Sequence, residues 1–545
     1  MPARHPAIFN SGRSTQRGAA LMVMLVIMVM GAAAILVSLL TSSALKTTQL
    51  NNSAAALAQA KEALIGYAVT YGDANANQAH GYLPCPDVDD TGFLAEGVEH
   101  GNCGLTDANT IGRLPWKSLG LPPLHDGAGE CLWYAVSGSY KNHPKTSTRM
   151  NWDNTGKLKI FSADGNEFAA NEIVAVVIAP GAVISDNTPT QDRSGTTAPI
   201  CGGNYTPAAY LDNDTAHNIN NSDIAAGKFI LPHDHRANGN VTLSANDQFV
   251  FITRQDIWSA IEKRIAQEAR QCLDDYAASS GGRYPWAAPI NDTTFYASTA
   301  NTRFGRLPRH QPITDPDIIA MMAAMTALQV AVDNCKLANN PANRNALDNA
   351  GNGLENAAKT VRDNQPTTPL ISSSVTTPAI NAGNDAQDNT RCFNILNNPT
   401  GDIVQTNLDT ATDAISALPT TLGWPVSCTL FASAPWSHWR NMVFYQVADG
   451  FRPGSAASCG ASCLSVTGSG HTAAGSGSYH AALIAAGKKL TANRVITNTA
   501  DYLEADNLLP QADSTKPYKT YRMTDGNYPT INDHVLCLDG GVNCK

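Results

Sequence analysis

Charged residues are scarce in this chain: they make up 15% of its 545 residues, with 46 acidic against 37 basic side chains and a net charge of -9. Beyond Lys46, no segment has the density of lysine and arginine that a nucleic-acid surface requires. The composition therefore argues against a nucleic-acid partner. Asn, Ala, Thr, Ser and Gly are abundant instead, which is typical of a secreted surface.

Signatures of catalysis are also missing. The chain has no G-x-S-x-G elbow, no G-x-x-x-x-G-K-[ST] phosphate loop, no H-E-x-x-H helix and no catalytic cysteine signature. The nearest approach to a transition-metal pair is His233 and His235, which flank Asp234 in a predicted loop after Pro232. A lone pair of this kind is weak evidence for a metal, and we expect a protein that is not an enzyme.

Cysteine is absent from the first 84 residues and then occurs twelve times. No two cysteines form a C-x-x-C pair, which argues against a zinc site or c-type haem. An even number in one part of a chain favours disulfides in an oxidising compartment. Cys335 and Cys392 are candidates for one bridge, Cys85 and Cys103 are further candidates, and the remaining pairings stay open.

Only one long hydrophobic run is present, at residues 19–40. As a helix it would reach about 33 Å, enough to cross a hydrocarbon core of about 30 Å. Arg4, Arg13 and Arg17 precede the run and no acidic residue does, so the positive-inside bias places the leader in the cytoplasm and everything after Lys46 outside. The run is too long for the core of an ordinary secretory signal, which is about 7 to 15 residues.

A short basic leader that ends in Gly18, followed by the apolar run and an amphipathic helix, resembles the N-terminus of type IV prepilins and type II secretion pseudopilins. Arg17, Gly18 and residues 19–40 carry this resemblance. It implies that a prepilin peptidase cleaves after Gly18 and methylates the new N-terminal residue, Ala19. An uncleaved signal anchor is the alternative.

The sequence departs from that family at the fifth mature position, where Val23 replaces the Glu of the major subunits. An acid in the middle of a membrane costs about 2.5 to 3.5 kcal/mol on insertion scales, so it is kept where it has a partner. A subunit without it resembles the minor subunit at the tip of a pseudopilus; alternatively, the Glu was lost in an anchor outside any filament. The resemblance also implies that Cys537 and Cys544 close a small loop, as C-terminal disulfides do in many pilins.

An internal repeat runs through the exported part. Eight short segments recur in the same order, and eight ordered matches are strong evidence although each alone is weak. The matched segments are 62–63 with 268–269, 81–84 with 282–285, 112–115 with 305–308, 119–122 with 422–425, 132–136 with 443–447, 174–181 with 480–487, 210–214 with 502–506, and 246–250 with 532–536.

The spacing of the matches locates an insertion in the second copy. The offset between copies grows from 193 at Gly112 to 303 at Gly120, so about 110 residues enter at roughly 309–421. Residues 317–332 are rich in good helix formers and predict a helix, whose Met-rich face is either core packing or a partner surface. Residues 402–418 predict another helix, and residues 366–389, rich in Thr, Ser, Pro and Asn, predict a loop or linker.

A calcium site is the one cofactor that the sequence suggests. Asp87, Asp89 and Asp90 stand at positions one, three and four of a D-x-D-x-[DNST]-G turn, and calcium prefers oxygen ligands. Asp212 and Asp214 are further sources of oxygen. Aspartate is also common in turns for local hydrogen bonding, and the turn lacks the twelfth-position acid of an EF-hand.

We therefore predict an α+β protein: a cleaved cytoplasmic leader at 1–18, a membrane-spanning and amphipathic spine helix at 19–71, a first pilin-like head at 72–255, and a second head at 256–545 that carries the partly helical insertion. Each head is expected to pack a helix on a small antiparallel sheet. The predicted function is that of a minor pilin or pseudopilin at the tip or priming complex of a type IV pilus or type II secretion pseudopilus. Its expected partners are other subunits, the prepilin peptidase and the inner membrane, with the bulk of the chain in the periplasm or outside the cell. The alternatives are a pilus-tip adhesin and a signal-anchored periplasmic enzyme or binding protein.

Overall fold

The apolar run lies within one long helix of the computed structural model, α1 (Arg17–Ala74), whose 58 residues reach about 87 Å. Residues 45–52 of this helix are exposed, and Ser53 is the first buried residue among its described side chains. The structure describes residues 17–88 (side chains from 45 onward), 95–146, 148–168, 170–184, 190–237 (side chains to 234), 240–293 (side chains from 245), 295–309, 315–364, 373–397, 402–416, 424–458, 463–467, 479–490, 494–504, 507–508, 520–522 and 532–539, with the backbone alone described at 416, 432, 467 and 520–522.

The described part of the chain contains both helices and short strands, which agrees with the predicted mixed class. The further helices are α2 (Arg254–Ser279), α3 (Pro316–Leu337), α4 (Pro341–Asn364), α5 (Ser373–Ala386), α6 (Arg391–Asn397), α7 (Ile403–Ser416) and α8 (Ala434–Trp439). The strands are β1 (Thr110–Arg113), β2 (Trp133–Val136), β3 (Lys159–Phe161), β4 (Ile173–Ala179), β5 (Asn213–Asp214), β6 (Ile219–Asn220), β7 (Lys228–Ile230), β8 (His233–Ala237), β9 (Asn240–Ala245), β10 (Gln248–Thr253), β11 (Phe304–Arg306), β12 (Val443–Val447), β13 (Ser465–Thr467), β14 (Ala481–Ala485), β15 (Thr520–Arg522) and β16 (His534–Leu538).

The first four-stranded sheet is antiparallel throughout, in the order β1-β2-β4-β10. The C-terminal half of α1 packs on β4 and β10. It does so through a stripe of small and apolar side chains at helical spacing, which leaves the polar positions outside. The stripe comprises Ala56, Leu57, Ala60, Leu64, Ala68 and Tyr71.

A second sheet repeats this arrangement, with antiparallel order β11-β12-β14-β16. Helix α2 packs on β14 and β16. It begins with a capping box in which Thr253 and Asp256 satisfy each other's backbone amides. Its buried apolar stripe recurs at helical i, i+4 spacing and comprises Ile257, Ile261, Ile265, Ala269, Cys272, Leu273 and Tyr276.

The strands of the two sheets fall on the repeated sequence segments. Segment 112–115 overlaps β1 and its counterpart overlaps β11, and the later segments coincide with β2 and β12, β4 and β14, and β10 and β16 in the same way. A matching hydrogen bond closes each unit: the Tyr134 hydroxyl donates to the Pro84 carbonyl at 3.2 Å, and the Tyr445 hydroxyl donates to the Pro285 carbonyl at 3.0 Å. The sequence repeat therefore corresponds to a repeated helix-and-sheet unit.

The two units share one hydrophobic core. Trp258 of α2 is buried between them: its indole nitrogen donates to the Tyr140 hydroxyl at 2.9 Å, and its ring lies edge-on to Trp439 at 6.0 Å. Ion pairs also join the units, such as Arg494 with Asp153 at 3.0 Å. The first and second units are therefore packed on each other.

The insertion between β11 and β12 is a bundle of the five helices α3 to α7 with a hydrophobic core of its own. Met321, Met322 and Met325 are buried in that core, so the Met-rich face of α3 is core packing. A disulfide between Cys335 and Cys392 joins α3 to α6.

The prediction of a loop at residues 366–389 was wrong over most of its length, because α5 occupies Ser373–Ala386. The composition suggested a linker, and Pro378 even lies inside the helix. However, Val375, Ala379 and Ala382 recur at helical spacing, and their burial against the insertion core outweighs the poor helix propensity. Helix α4 was not predicted either.

One helix in the part of the chain with described side chains, α3, has the length and composition of a membrane span. About half of its apolar residues are buried in the insertion core, so packing within the bundle accounts for its length and its apolar composition. Residues 19–40 lie outside the described side chains, and their membrane span stays a prediction.

Smaller sheets cover the outer side of the first unit. Strands β3 and β7 pair in parallel, β5 and β6 form a tight hairpin, and β8 and β9 form a longer one. His233 is the first residue of β8 and does not lie in a loop as the sequence suggested. The hairpin β5-β6 packs beside β9, which brings residues about thirty positions apart in sequence into contact.

Candidate functional site

Two buried arginines occupy equivalent positions in the repeated Gly-Arg-Leu-Pro segments, 112–115 and 305–308. Arg113 is 1% exposed; its guanidinium lies 4.9 Å from the ring of Tyr210 and donates to the Asn204 carbonyl at 2.8 Å. Arg306 occupies the same position in the second unit, 4.4 Å from the ring of Tyr502. Each arginine thus joins the Gly-Arg-Leu-Pro segment to the Tyr-Leu-acid segment of its own unit by a cation-π contact.

A pair of buried carboxyl groups follows in the first unit. The Asp247 carboxylate accepts from the Asp212 amide at 2.8 Å, and the Asp212 carboxylate accepts from the Asp247 amide at 2.9 Å. Asn221 donates its side-chain amide to Asp247 at 2.8 Å. Burial raises the pKa of both carboxyl groups, and the charge of Asp212 raises that of Asp247 further.

The second unit contains the equivalent pair, Glu504 and Asp533. The Asp533 carboxylate accepts from the Glu504 amide at 3.0 Å and from the Asn507 side chain at 3.1 Å. Burial again raises the pKa of both groups. Asp247 and Asp533 are fully buried, so these pairs hold the chain at the start of β10 and β16 and offer no surface to a substrate. Asp212, a candidate calcium ligand, belongs to this structural pair.

Of the three aspartates in the predicted calcium turn, Asp87 is described, whereas Asp89 and Asp90 lie outside the described residues. The Asp87 carboxylate is 5% exposed and accepts from the Gly97 amide at 2.7 Å and from the Tyr205 hydroxyl at 3.3 Å. Burial raises its pKa to about 6. Asp87 therefore ties together three loop segments, and calcium binding at this turn stays a prediction.

The structure bears on three disulfides that the sequence suggested. Cys85 is bonded to Cys103 and Cys335 to Cys392. Cys537 is also disulfide-bonded. Its pairing with Cys544 stays a prediction because Cys544 lies outside the described residues.

Two further bridges were not assigned from the sequence. Cys131 is bonded to Cys201 within the first unit, and Cys272 of α2 is bonded to Cys428 across 156 residues of chain. The loop that Cys272–Cys428 closes contains the whole insertion. Such a long-range pair cannot be recognised from cysteine spacing, because its partners meet only when the second unit has folded.

The proposed processing site lies in the first turns of α1. Gly18, Ala19 and Val23 are part of the helix, but their side chains are outside the described ones. Cleavage and methylation there remain predictions.

A polar cavity of about 600 Å³ lies where the insertion meets the two units. Basic residues such as Arg149 and Arg440 line it together with acidic residues such as Asp333 and Asp409. Burial lowers the pKa of His438, another lining residue, to about 4, so this histidine is neutral at physiological pH. Charges of both signs are balanced, and the cavity indicates no particular ligand.

A cluster of two histidines and one aspartate forms where the hairpin β5-β6 meets β8. The Asp214 carboxylate oxygen Oδ2 lies 2.6 Å from Nδ1 of His217 and 3.5 Å from Nε2 of His233. One ligand atom from each side chain falls within 4.8 Å of the other two. By sequence, Asp214 and His233 were separate candidate ligands, and a role for His217 was not predicted.

His217 carries only a weak local signal, because it stands three residues after Asp214 at the turn of the β5-β6 hairpin. His233 joins the pair from β8, which no spacing rule connects to that turn. The side chain of His235, the other histidine of the predicted pair, lies outside the described ones. The structure thus groups His233 with Asp214 and His217.

Comparison of the chain with protein-family models, with curated protein sequences and with solved structures found no significant match.

Proposed function

We propose that this chain is a minor pilin or pseudopilin, a structural subunit at the tip or in the priming complex of a type IV pilus or type II secretion pseudopilus. The observation that carries the proposal is the order of parts: a basic leader ending in Gly18, a long helix α1, and an antiparallel sheet packed on the C-terminal half of that helix. A pilin subunit needs the same order, because its apolar half-helix assembles with other subunits while its head stays outside.

The surface of α1 beyond the membrane half supports a role in assembly. Residues 45–52 are exposed, with Leu45 at 64% and Leu50 at 44% exposure. Exposed leucines on a helix are suited to contact with neighbouring helices. Other subunits of the filament are the partners that would cover them, with the inner membrane holding the apolar half before assembly.

The second unit and the insertion favour a place at the tip. A helical filament repeats its subunits at short rises, so a subunit with two packed units and a five-helix bundle would collide with the subunit above it. At the end of the filament there is no subunit above. Val23 in place of the family's Glu is consistent with such a specialised position.

The mature N-terminus tests the proposal. Mass spectrometry of the exported protein is expected to find a chain that begins with N-methylated Ala19. A Gly18→Val variant is expected to keep its leader, while a Gly12→Val variant, changed at another glycine of the same leader, is expected to be processed normally. An intact Met1 in the wild-type protein, or cleavage at another bond, would contradict the proposal.

A pilus-tip adhesin is the second candidate, and the separate core of the insertion favours it. A bundle with its own core can present a binding surface without disturbing the units that carry it. Deletion of residues 309–421 is then expected to abolish attachment to surfaces while filaments still form. Normal attachment by the deletion strain would exclude the insertion as the adhesive part.

A further inference from the structure

We propose that Asp214, His217 and His233 form a binding site for one divalent transition-metal ion of the zinc type. The inference does not depend on the proposed function, because it concerns the first helix-and-sheet unit alone. It depends on the chemistry of three side chains and on one nitrogen that has no hydrogen-bond partner within the described ranges.

The donor set favours zinc and its neighbours over calcium. Two imidazole nitrogens and one carboxylate oxygen suit zinc, nickel, cobalt and copper, whereas calcium takes oxygen ligands almost exclusively. The side chain of Asp214 is fully buried, that of His233 is 7% exposed and that of His217 is 29% exposed. The charge of the ion would thus be balanced by a buried carboxylate, and solvent could supply a fourth ligand on the side of His217.

The ring of His233 is oriented for ligation. Its Nδ1 lies 2.9 Å from the Leu231 carbonyl, which accepts hydrogen bonds only, so Nδ1 carries the proton in the neutral ring. Nε2 is then a lone-pair nitrogen, and it has no hydrogen-bond partner among the described residues. A backbone carbonyl on the other ring nitrogen is the usual support for a histidine that binds a metal.

The unpartnered Nε2 faces the Asp214 carboxylate oxygen at 3.5 Å. Two lone-pair atoms that face each other in a buried place are unfavourable unless something positive lies between them. In tetrahedral coordination with metal-ligand distances of about 2.0 to 2.1 Å, neighbouring ligand atoms are about 3.3 Å apart. The observed separation is close to that value.

His217 needs only a small movement to complete the site. Its Nδ1 is 2.6 Å from the same oxygen, so the two atoms must separate by roughly 0.7 Å to reach the tetrahedral spacing. His217 would bind through Nδ1 as the tautomer that carries its proton on Nε2. The ring rests against Gly165, where an added Cβ would lie 2.7 Å from Cδ2 of His217. The close contact with Gly165 limits the positions that the His217 ring can take.

The ion would join two hairpins of the first unit. Asp214 and His217 belong to the hairpin β5-β6, and His233 begins the hairpin β8-β9. We therefore expect metal binding to stabilise the outer side of the first unit and to leave the second unit, which lacks an equivalent of His217 and His233, unchanged.

A cobalt titration tests the site. The full-length protein is purified in detergent without a polyhistidine tag, stripped with a chelator and titrated with Co²⁺, whose visible absorption reports the geometry of its ligands. We expect one Co²⁺ per chain with a tetrahedral spectrum, displaced by Zn²⁺. His217→Ala and His233→Ala are expected to weaken Co²⁺ binding by on the order of 100-fold. Each change removes a ligand itself, and even the loss of a residue that only hydrogen-bonds to a ligand weakens metal binding by about 10 to 100-fold.

His125→Ala is the matched control, because His125 is exposed and lies on a loop that shares no ligand with the cluster. It is expected to keep wild-type affinity and spectrum, and circular dichroism is expected to be the same for all four proteins. His217 is partly exposed at a turn, so its replacement leaves the fold intact. Binding that is absent in the wild type, or equal in all variants, would overturn the proposal.

Discussion

Arg113 and Arg306 explain, at the scale of single residues, why distant segments of the sequence repeat together. Each arginine is buried against the tyrosine of a later segment, so the two segments form one contact. The sequence indicated that these residues recur, but the contact itself could not be predicted because it joins residues that lie far apart in the chain. His217 was missed for the same reason: its partner His233 belongs to another hairpin.

Glu262 gives a prediction at this scale. Its carboxyl group is 6% exposed at the junction of the two units, where it accepts from the Trp152 indole nitrogen at 2.5 Å. Burial raises its pKa to about 8, and burial lowers the pKa of His534, whose Nδ1 lies 3.9 Å away, so that neighbour supplies no positive charge at neutral pH. Glu262 is therefore protonated in the folded protein at pH 7.

The pH dependence of stability follows from the difference between the pKa of Glu262 in the folded protein and in the unfolded chain. In the unfolded chain the pKa of Glu262 is about 4.3, so between about pH 4.3 and 8 the folded protein holds a proton that the unfolded chain has lost, and stability falls as the pH rises. Glu262→Gln keeps the acceptor for Trp152 and removes the titration. The variant is expected to match the wild type near pH 4 and to exceed it by a few kcal/mol at pH 8.

Thermal unfolding of both proteins between pH 4 and 9 measures this difference. Glu268→Gln is the control, because Glu268 lies on the same helix with an exposed side chain. Its effect is expected to be small at every pH. A Glu262→Gln curve that runs parallel to the wild-type curve would show that Glu262 is ionised in the folded protein.

At the scale of elements, periodicity predicted some helices and composition misled about others. Helix α2 was predictable because its apolar residues recur at i, i+4 with charges opposite. In α5 the same spacing is present, but Pro378 and the surrounding threonines and serines dominate the composition. The bundle supplies the burial that such a segment lacks alone, so its helix could not be predicted from the segment itself.

The disulfide Cys335–Cys392 gives a prediction for the bundle. It closes a loop of 57 residues between α3 and α6, and a loop of that length is worth about 4 kcal/mol in the chain-entropy model. The double variant Cys335→Ser/Cys392→Ser is expected to lower the protection of α4 and α5 against hydrogen exchange. Cys85→Ser/Cys103→Ser, which opens a loop of 18 residues in the first unit, is expected to leave these helices unchanged. Equal protection of α4 and α5 in the first variant and the wild type would contradict this.

At the scale of the whole molecule, the order of the repeated segments predicted two similar units but not how they are joined. Both four-stranded sheets have the same strand order, and the insertion enters at the position that the offset between the copies indicated. The packing of one unit on the other could not be foreseen. It depends on Trp258, which belongs to α2 yet contacts Tyr140 of the first unit, and no pattern along the chain marks such a residue.

The shared core predicts that the two units unfold together while the insertion unfolds separately. Trp133 is fully buried on the outer face of the first sheet, where its ring contacts Tyr210 and faces away from the second unit. Trp133→Ala is expected to cost about 3 to 5 kcal/mol. If the units form one cooperative structure, hydrogen exchange will accelerate by the same factor in β2 and β4 and in β12 and β14, because protection of core amides reports the free energy of their common opening.

Leu354→Ala is the reciprocal change, because Leu354 is fully buried in the separate core of the insertion. It is expected to accelerate exchange in α3, α4 and α5 and to leave both sheets protected. Faster exchange confined to the first sheet in Trp133→Ala would mean that the two units open independently. The tip model would then need a subunit with two movable heads, whereas a common opening supports a subunit that carries its insertion on one rigid base.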